Sequence, residues 1–500
     1  MKKYDDIIVG SGVSGLTLAL LLGMNGHKVL LVEKNAHIGG SLRRFYSQGI
    51  PFDTGFHFTG GFYKNGILQD MLMVLGIKDD IQPIYLSEEK NNQFVIGQEK
   101  TTYNLPTGYQ RIIEKMKEYF PCEEHAIDKY FAMVKNVCNQ TAVMDLRKTS
   151  MSVSALDEDF LTLDDVLNKL TDNSKLKALM AEYSMCYGVK PQEISFANHS
   201  RICYSLYESV ARVKDGGDAF IRAFQKYFRK FDIEIMCDRY ITECADIKND
   251  CVGRFVLNTG EEISCDRCIF TIHPMEVLKT LPKNLLSKAF VDRVSAFESS
   301  AGFFSVYGIV ESPDSVDDFT PTITSIFPTE DINRLLDPEN REMPALVIMQ
   351  NAEEVNGKSY HVLSALEVSF PEHVEAWRSS KSGNRTSSYK KYKHQQINSI
   401  KKRIIERFPE YKNSFKVIDS ASVLTFRDYL NSPDGSAYGI KQKIGQFNLF
   451  GKLPLRNTYA AGQSSMLPGL VGAMMSSFIV ERTIIGKEKY NQFIEKRLCS

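Results

Sequence analysis

The chain has 500 residues, of which 43% are hydrophobic and 24% charged, and its 61 basic residues balance its 61 acids. A net charge of zero gives no overall field that would attract nucleic acid or an anionic membrane, and we predict no nucleic-acid partner. The length is too great for one hydrophobic core and indicates about two to four domains.

The first residues follow a nucleotide-binding pattern. A buried strand is predicted over 6–9, Gly10, Gly12 and Gly15 then form G-x-G-x-x-G, and a helix is predicted over 13–24. These glycines permit the tight turn, the approach of backbone to a pyrophosphate, and close packing of helix on strand. The positive N-terminus of the helix faces the phosphates.

A second predicted strand, 28–32, places an acid where a ribose would lie. Glu33 follows the last glycine of the motif by eighteen residues, close to the interval expected for a carboxylate that binds the ribose diol. Residues 39–40 are a second glycine pair, 43–44 are two arginines, and G-I-P-F-D-T-G-F-H occupies 49–57. The ordered series predicts FAD, against the alternative of a strand–helix–strand unit without a nucleotide.

The N-terminus could also be mistaken for a secretory signal, because two lysines precede an apolar stretch. Asp5 and Asp6 interrupt that approach, no small-residue cleavage site follows, and cleavage would remove the phosphate glycines. We therefore predict no signal peptide. No other run of about eighteen uncharged apolar residues occurs, so no spanning helix is predicted.

The ten scattered cysteines are typical of reduced thiols in a cytoplasmic protein. Cys265 and Cys268 form the one close pair, and no second pair completes a zinc site, so no metal site is predicted. We expect this pair to lie in a strand, with redox catalysis as the alternative.

The middle of the chain alternates between helical and α/β patterns. Helical spacing is predicted at 71–77, 109–120, 128–143 and 163–187. The α/β pattern then resumes with a helix at 218–231 and strands at 233–236, 241–247, 253–258 and 268–272. Strands at 301–310, 345–350 and 360–370 are predicted to form a separate sheet.

The C-terminal part holds a second glycine-rich cluster. A strand over 458–461 enters a turn at Gly462, and Pro468-Gly469 precedes a helix from about Val471. Small residues there would let backbone N–H groups approach a flat ligand, and the positive helix end could stabilise charge on a reduced flavin. The alternative is an ordinary C-terminal helix packed through its small residues.

Several of these motifs together resemble the FAD-dependent phytoene desaturase, carotenoid isomerase and retinol saturase superfamily, and among its members the retinol saturases most. The first and last motifs also occur among amine-oxidase-like flavoproteins, so the middle ones indicate the polyene branch. The matching stretches lie at 10–15, 33–40, 52–57 (F-D-T-G-F-H), 187–196 (Y-G-V-K-P-Q-E-I-S-F), 216–217, 435–440 (G-S-A-Y-G-I) and 461–473.

The resemblance implies a non-covalent FAD held by both ends of the chain. The first glycines would face the pyrophosphate, Glu33 the adenosine ribose, and Arg43 the phosphates or ribityl chain. A backbone group near 240–242 would meet the adenine. The implied cofactor-binding residues are Gly10, Gly12, Val13, Ser14, Gly15, Glu33, Lys34, Gly39, Gly40, Ser41, Arg43, Ile241, Gly462, Gly469, Leu470 and Gly472.

Two residues are candidates for catalysis. His57 should come near the flavin face, and a histidine titrates close enough to neutrality to donate the proton that accompanies hydride addition. Its alternative role is to cap a turn or fill a polar pocket. Tyr438 would lie over the substrate channel, where aromatic packing is the alternative to acid catalysis.

The implied fold class is α/β: a two-lobed flavoprotein with a discontinuous Rossmann-type FAD-binding domain and an α+β substrate domain. The first comprises 1–75, 210–290 and 420–500, and the second 76–209 and 291–419. The implied activity is hydride exchange between flavin N5 and a C=C bond of a polyene or isoprenoid lipid, as a saturase, desaturase or isomerase. The alternatives are an amine-oxidase-type enzyme and a non-catalytic, flavin-holding lipid carrier.

The sequence also bears on the source of the electrons that the flavin would exchange. No second G-x-G-x-x-G follows a strand, so the electron donor or acceptor is expected to be a separate, unidentified partner.

Residues 378–403 contain nine lysines and arginines and no acid, with Trp377, Tyr389 and Tyr392 in or beside them. Segment 377–403 could contact an anionic leaflet at about 1 kcal/mol per charge. Its alternative is a solvated loop that leads into a helix with a basic face.

Overall fold

The computed structural model describes residues 1–86, 92–148, 155–311 and 321–499. Its strands are β1 (Lys2–Val9), β2 (Val29–Val32), β3 (Arg44–Ser47), β4 (Ile50–Asp53), β5 (Pro83–Tyr85), β6 (Asn92–Ile96), β7 (Thr101–Leu105), β8 (Ala211–Val213), β9 (Glu234–Met236), β10 (Ile241–Ala245), β11 (Arg254–Leu257), β12 (Glu262–Phe270), β13 (Gly302–Val310), β14 (Thr322–Phe327), β15 (Leu346–Val355), β16 (Lys358–Ser369), β17 (Phe415–Ala421), β18 (Gly451–Lys452) and β19 (Thr458–Ala460).

The α-helices connect and cover these strands. They are α1 (Val13–Met24), α2 (Ile67–Leu75), α3 (Tyr109–Tyr119), α4 (Glu124–Gln140), α5 (Leu163–Leu170), α6 (Ser174–Met180), α7 (Phe196–Glu208), α8 (Gly216–Lys230), α9 (Pro274–Thr280), α10 (Lys288–Ser295), α11 (Ile332–Leu335), α12 (Ser387–Arg407), α13 (Val423–Leu430), α14 (Gly469–Ile485) and α15 (Lys487–Leu498).

The first sheet gathers strands from three distant parts of the chain. Its order is β10-β11-β12-β1-β2-β9, with β19 beside β12 and β18 beside β19. The central strand β1 is parallel to both β12 and β2, and Ile7 and Ile8 in it are fully buried, as expected for a parallel strand covered on both faces. Ligands bind outside the carboxyl ends of such strands, where Gly10 follows Val9.

The second sheet contains the predicted strands 301–310, 345–350 and 360–370 as β13, β15 and β16. Its order is β17-β13-β16-β15-β14-β6-β7, and β14 and β6 pair in parallel. Strands β6, β7, β14 and β17 were not predicted. Each of them is only five to seven residues long and contains two or three polar residues without regular alternation, so the strand signal is weak without the long-range pairing.

Most predicted helices are present with shifted ends, and one prediction was wrong. The single helical stretch over 163–187 is divided into α5, α6 and a 3-10 helix over Glu182–Cys186. Asn173 interrupts it, because its side chain accepts a hydrogen bond from the Leu176 N–H (3.1 Å) and caps α6. Helix α15, which follows the break at Gly486, was not predicted. The bounds of the two domains stay a prediction.

The basic segment 378–403 becomes helical only from Ser387. Its aromatic residues pack inward: the rings of Trp377 and Tyr392 lie 5.0 Å apart, and Tyr389 is buried. Lys390 and Lys391 are exposed, so only charge remains available for a membrane contact there. Within the described ranges, no helix has the length and hydropathy needed to cross a membrane.

The strand prediction for the close cysteine pair agrees with the structure. All ten cysteines are free thiols. Cys265 and Cys268 are buried within β12, as expected for a strand. Over the part of the chain that the structure describes, no cluster of three or more His, Cys, Asp or Glu residues could hold a metal ion.

Candidate cofactor site and adjoining cavity

The glycine turn between β1 and α1 has the geometry of a phosphate cradle. Gly10 has φ +100°, and a Cβ on Gly15 would overlap the Gly10 carbonyl oxygen. At Gly12, by contrast, no described atom lies within 4 Å of the place a Cβ would occupy. Gly12 is the residue before the first turn of α1, so backbone N–H groups at a helix N-terminus face open space there.

Glu33 lies at the end of β2, as predicted, and is buried. Its Oε2 accepts hydrogen bonds from the Ser11 N–H (3.0 Å) and the Ser11 hydroxyl, and its Oε1 accepts one from the Asn35 N–H (2.8 Å). These bonds fix the carboxylate beside the glycine turn. Its contact with a ribose stays a prediction.

The predicted adenine-side residues lie next to Glu33. The Arg239 N–H donates to the Glu33 carbonyl oxygen (2.9 Å), which brings the start of β10 to this corner of the sheet. The Lys34 ammonium lies 5.8 Å from the centre of the Tyr240 ring, and Ile241 is buried behind it. Tyr240 itself is 44% exposed, so its ring is accessible beside the site.

The second glycine pair closes the cradle on the other side. The Gly39 N–H donates to the Ser11 carbonyl oxygen (3.0 Å), and a Cβ on Gly40 would lie 3.1 Å from the Gly12 Cα. The next residue, Ser41, is exposed, and its carbonyl oxygen accepts a hydrogen bond from the Gly55 N–H (3.2 Å).

Arg43 provides a cation at this cradle. It is half-buried, and its side chain makes no hydrogen bond or ion pair within the described ranges. A guanidinium left without a carboxylate next to a glycine turn suits a phosphate, which it can bind through two N–H groups.

The C-terminal cluster meets the N-terminal one through serines. The Ser14 and Ser477 hydroxyl oxygens are 2.8 Å apart, and the Gly462 N–H donates to the Ser476 Oγ (2.8 Å). Helix α14 therefore packs directly on α1. It starts at Gly469, two residues before the predicted start, and here too no described atom lies within 4 Å of the place a Cβ would occupy.

A cavity that is partly open to solvent adjoins this second helix N-terminus. Its wall includes residues 55–60, which hold the predicted His57, and residues 467–472, which hold the predicted Gly469, Leu470 and Gly472. The rest of the wall is mainly apolar and comes from the second sheet, from α7 and the 3-10 helix before it, and from α14: Met185, Ile202, Leu206, Phe303, Val347, Met349, Leu366 and Met475.

Both predicted catalytic residues line this cavity. Burial lowers the pKa of His57, and the nearby Asp53 carboxylate partly offsets that effect. Tyr438 packs edge-on against Phe303, with ring centres 6.2 Å apart, and burial raises the pKa of its phenol well above the usual value. Among the described residues, neither the His57 ring nor the Tyr438 hydroxyl has a hydrogen-bond partner, so both are available to a ligand.

Among the described residues of the cavity wall, Arg201 is the one that carries a permanent charge. Its guanidinium is paired with Asp159 (2.5 Å), and none of the lining residues is Asp or Glu. The cavity is therefore suited to an uncharged, apolar molecule.

Sequence reasoning missed a buried ion cluster next to His57. Arg44 contacts Asp53 (3.1 Å) and Glu353 (2.7 Å), and Arg212 contacts the same two carboxylates at 2.9 and 2.5 Å. All four side chains are buried. The cluster joins the β3–β4 hairpin to β8 and to β15 of the second sheet. The available signal was a charged residue inside an otherwise apolar strand pattern, which does not reveal its partners.

A parallel sheet that ends in a glycine cradle, packed against a C-terminal helix that opens on an apolar cavity, defines a Rossmann-type flavoprotein oxidoreductase of mixed α/β class. A family model described as an NAD(P)-binding Rossmann-like domain matches residues 8–73. The chain is 26% identical to an all-trans-retinol 13,14-reductase from Danio rerio, over 97% of this chain and 86% of that protein. It is 26% identical to a chloroplastic prolycopene isomerase from Daucus carota over 29% of this chain and 23% of that protein.

Solved structures show the same fold at low sequence identity. An oxidoreductase from Methanosarcina mazei superposes with a TM-score of 0.64 at 12% identity, over 95% of this chain and 99% of that chain. A putrescine oxidase bound to putrescine gives 0.63 at 12% identity, over 97% and 99%. Taken with the relatives, these findings confirm the resemblance to the superfamily of phytoene desaturases, carotenoid isomerases and retinol saturases.

Proposed function

We propose that this chain is an FAD-dependent oxidoreductase that saturates a C=C bond of a polyene or isoprenoid lipid. The observation that supports this most is the apolar cavity, whose wall includes the start of α14 at the cofactor cradle. Similarity to a retinol reductase extends over 97% of the chain, and similarity to a prolycopene isomerase over 29%. That difference favours saturation over isomerisation.

The cradle fits FAD at each of its parts. Open space at Gly12 and Gly469 leaves room for a pyrophosphate and a flat ring system, and Arg43 has no competing carboxylate among the described residues. The buried Glu33 carboxylate beside the glycine turn supports its assignment to the ribose diol. Non-covalent FAD would supply the hydride at its N5 atom. The electron donor that reduces it stays an unidentified partner.

The cavity residues would contribute orientation, water exclusion and a proton. The apolar side chains of the second sheet align a long hydrocarbon and keep water from the reacting carbons. The His57 ring lines the cavity with no hydrogen-bond partner among the described residues, so its protonated form is our candidate donor. Tyr438 packs on Phe303, and we assign it to the substrate channel wall.

An amine-oxidase function is less well supported. An ammonium group in this cavity would lose its hydration with no carboxylate among the described lining residues to replace it, and burial of an unpaired charge is costly. The similarity to the putrescine oxidase is at 12% identity and concerns the fold.

Two measurements test the proposal. The cofactor released by heat should co-elute with FAD, and recovery of another flavin, or of none, would contradict the cofactor assignment. The protein with reduced flavin should then be incubated with a lipid extract of the source cells and the products weighed by mass spectrometry. We expect one polyene to be replaced by a species two hydrogens heavier. An unchanged lipid profile would contradict the proposed reaction and favour a lipid carrier.

A further inference from the structure

A loop that follows the cavity-lining Tyr438 in sequence exposes several large apolar side chains. Phe447 is 76% exposed, Phe450 37% and Ile444 36%. Single exposed apolar residues are ordinary on a protein surface, whereas groups of them indicate a surface that binds something. The docking loop, as we call residues 441–456, presents three such residues close together in sequence.

The docking loop is held in a defined shape. The Gln446 Nε2 donates to the Lys441 carbonyl oxygen (2.5 Å), the Asn448 side chain donates to the Gln442 side chain, and the Ile444 N–H donates to the Glu193 carbonyl oxygen (2.9 Å). Leu449 is buried in the core beneath the first sheet. The exposed rings are therefore presented by an ordered loop rather than by a fraying end.

The charges of the docking loop have one sign. No Asp or Glu occurs from 435 to 480, while the loop contains Lys441, Lys443, Lys452 and Arg456. The first two lysines pair with Glu298. The other two cations are exposed, and over the described residues neither makes an ion pair. Two cations thus remain to attract an anionic surface beside the apolar side chains.

We propose that the docking loop binds the surface of an anionic lipid membrane, with Phe447 entering the interfacial region. Aromatic rings and aliphatic side chains favour that region, and each lysine or arginine near an anionic leaflet adds attraction. Helix α12 is the weaker candidate, because its aromatic neighbours face the protein. Docking does not depend on the proposed reaction. If that reaction holds, the loop would place the nearby cavity-lining Tyr438 close to the lipid phase.

A single-tryptophan reporter tests insertion directly. Trp377 is the only tryptophan, so a Trp377→Phe background permits one reporter, either Phe447→Trp or the control Phe160→Trp, whose residue is 69% exposed elsewhere on the molecule. With phosphatidylcholine–phosphatidylserine vesicles, we expect emission from the reporter at 447 to shift to shorter wavelength and to be quenched by brominated acyl chains. The reporter at 160 should not change. No response at 447, or equal responses at both positions, would overturn the proposal.

Vesicle co-sedimentation of the full chain separates the two candidate surfaces. Phe447→Ser with Phe450→Ser should weaken binding by roughly tenfold or more, and Lys452→Ser with Arg456→Ser should weaken binding to anionic vesicles only. The charge-matched control is Lys390→Ser with Lys391→Ser on α12. A larger loss in that control, or unchanged binding in both loop variants, would contradict the proposal. A reaction assay with detergent-dispersed lipid tests the proposed function separately.

Discussion

At the scale of single residues, two glycines of the nucleotide turn differ in the free space at the position of a side chain. Space beside Gly12 is open, whereas a side chain at Gly15 would collide with the Gly10 carbonyl oxygen. Gly12 also has φ −62°, which any residue adopts. We therefore attribute the glycine at position 12 to the space that a ligand needs. We attribute the glycine at position 15 to the close packing of α1 on β1.

These two positions give a matched pair of substitutions. We expect Gly12→Val to keep the melting temperature of the cofactor-free protein but to lose bound flavin, because the new side chain fills the pyrophosphate space. Gly15→Ala should instead destabilise the fold, because α1 must move away from β1. The flavin-to-protein absorbance ratio and thermal unfolding measure the two effects. Full flavin retention in Gly12→Val would contradict the pyrophosphate assignment.

The proposed role of His57 predicts a pH dependence. Burial lowers its pKa from 6.5, so the ring is mainly neutral at pH 7. Its protonated fraction increases as the pH falls below 7. We expect the rate of polyene reduction to rise from pH 7.5 to pH 5.5 in the wild type by about tenfold or more, and to be slow and flat in His57→Gln. Tyr438→Phe, the control, should keep the slope, since its phenol stays protonated throughout. The same slope in His57→Gln would exclude His57 as the donor.

The same shift bears on stability. A folded-state pKa below the unfolded value means that the unfolded chain binds more protons, so the contribution of His57 to stability is lost as the pH falls below 6.5. His57→Gln should therefore lose less unfolding free energy than the wild type between pH 7 and pH 5. Equal losses in the two proteins would show that His57 titrates normally.

At the scale of elements, the β3–β4 hairpin is fixed by the buried ion cluster. Removal of one partner from a buried ion pair leaves an uncompensated charge, which costs about 3–5 kcal/mol. We expect Glu353→Ala to lower the unfolding free energy by that amount, because it leaves Arg44 and Arg212 with a single carboxylate. Its exposed neighbour Glu354 is the control, and Glu354→Ala should change stability by less than about 0.5 kcal/mol. Equal effects in denaturant titrations would mean that the cluster does not hold the hairpin.

The sequence predicted those elements whose signal is local. Helix α1 has both predicted ends, since Gly12 precedes it and nearly all of its residues are apolar or small. Strands β6 and β14 were missed because they are short and contain two and three polar residues, and because they pair with each other over a long stretch of chain, with Asn92 opposite Ile323. The contact of Arg44 with Glu353 was missed for the same reason: Glu353 is remote in the chain and its burial depends on the assembled sheet.

At the scale of the whole molecule, the two glycine clusters, which are far apart in sequence, come together. Contacts of α14 with α1 bring Ser477 to Ser14, and the cavity lies where the start of α14 meets the second sheet. Composition and periodicity could not predict that convergence. The family resemblance implied it, by assigning both glycine clusters to one cofactor. The candidate lipid contact at 377–403 was inferred from basic residues interleaved with aromatic ones, and the packing of Trp377 on Tyr392 leaves it with charge alone.

The central claim is that a flavin held by this cradle reduces a C=C bond in the adjoining cavity. The most direct measurement is an anaerobic single turnover, in which the protein with fully reduced flavin is mixed with a polyene alcohol and the visible flavin band is followed. We expect the band of oxidised flavin to return at one equivalent of polyene, with a product two hydrogens heavier. A band that stays bleached with the polyene, while an amine bleaches the oxidised protein and yields peroxide in air, would contradict the account.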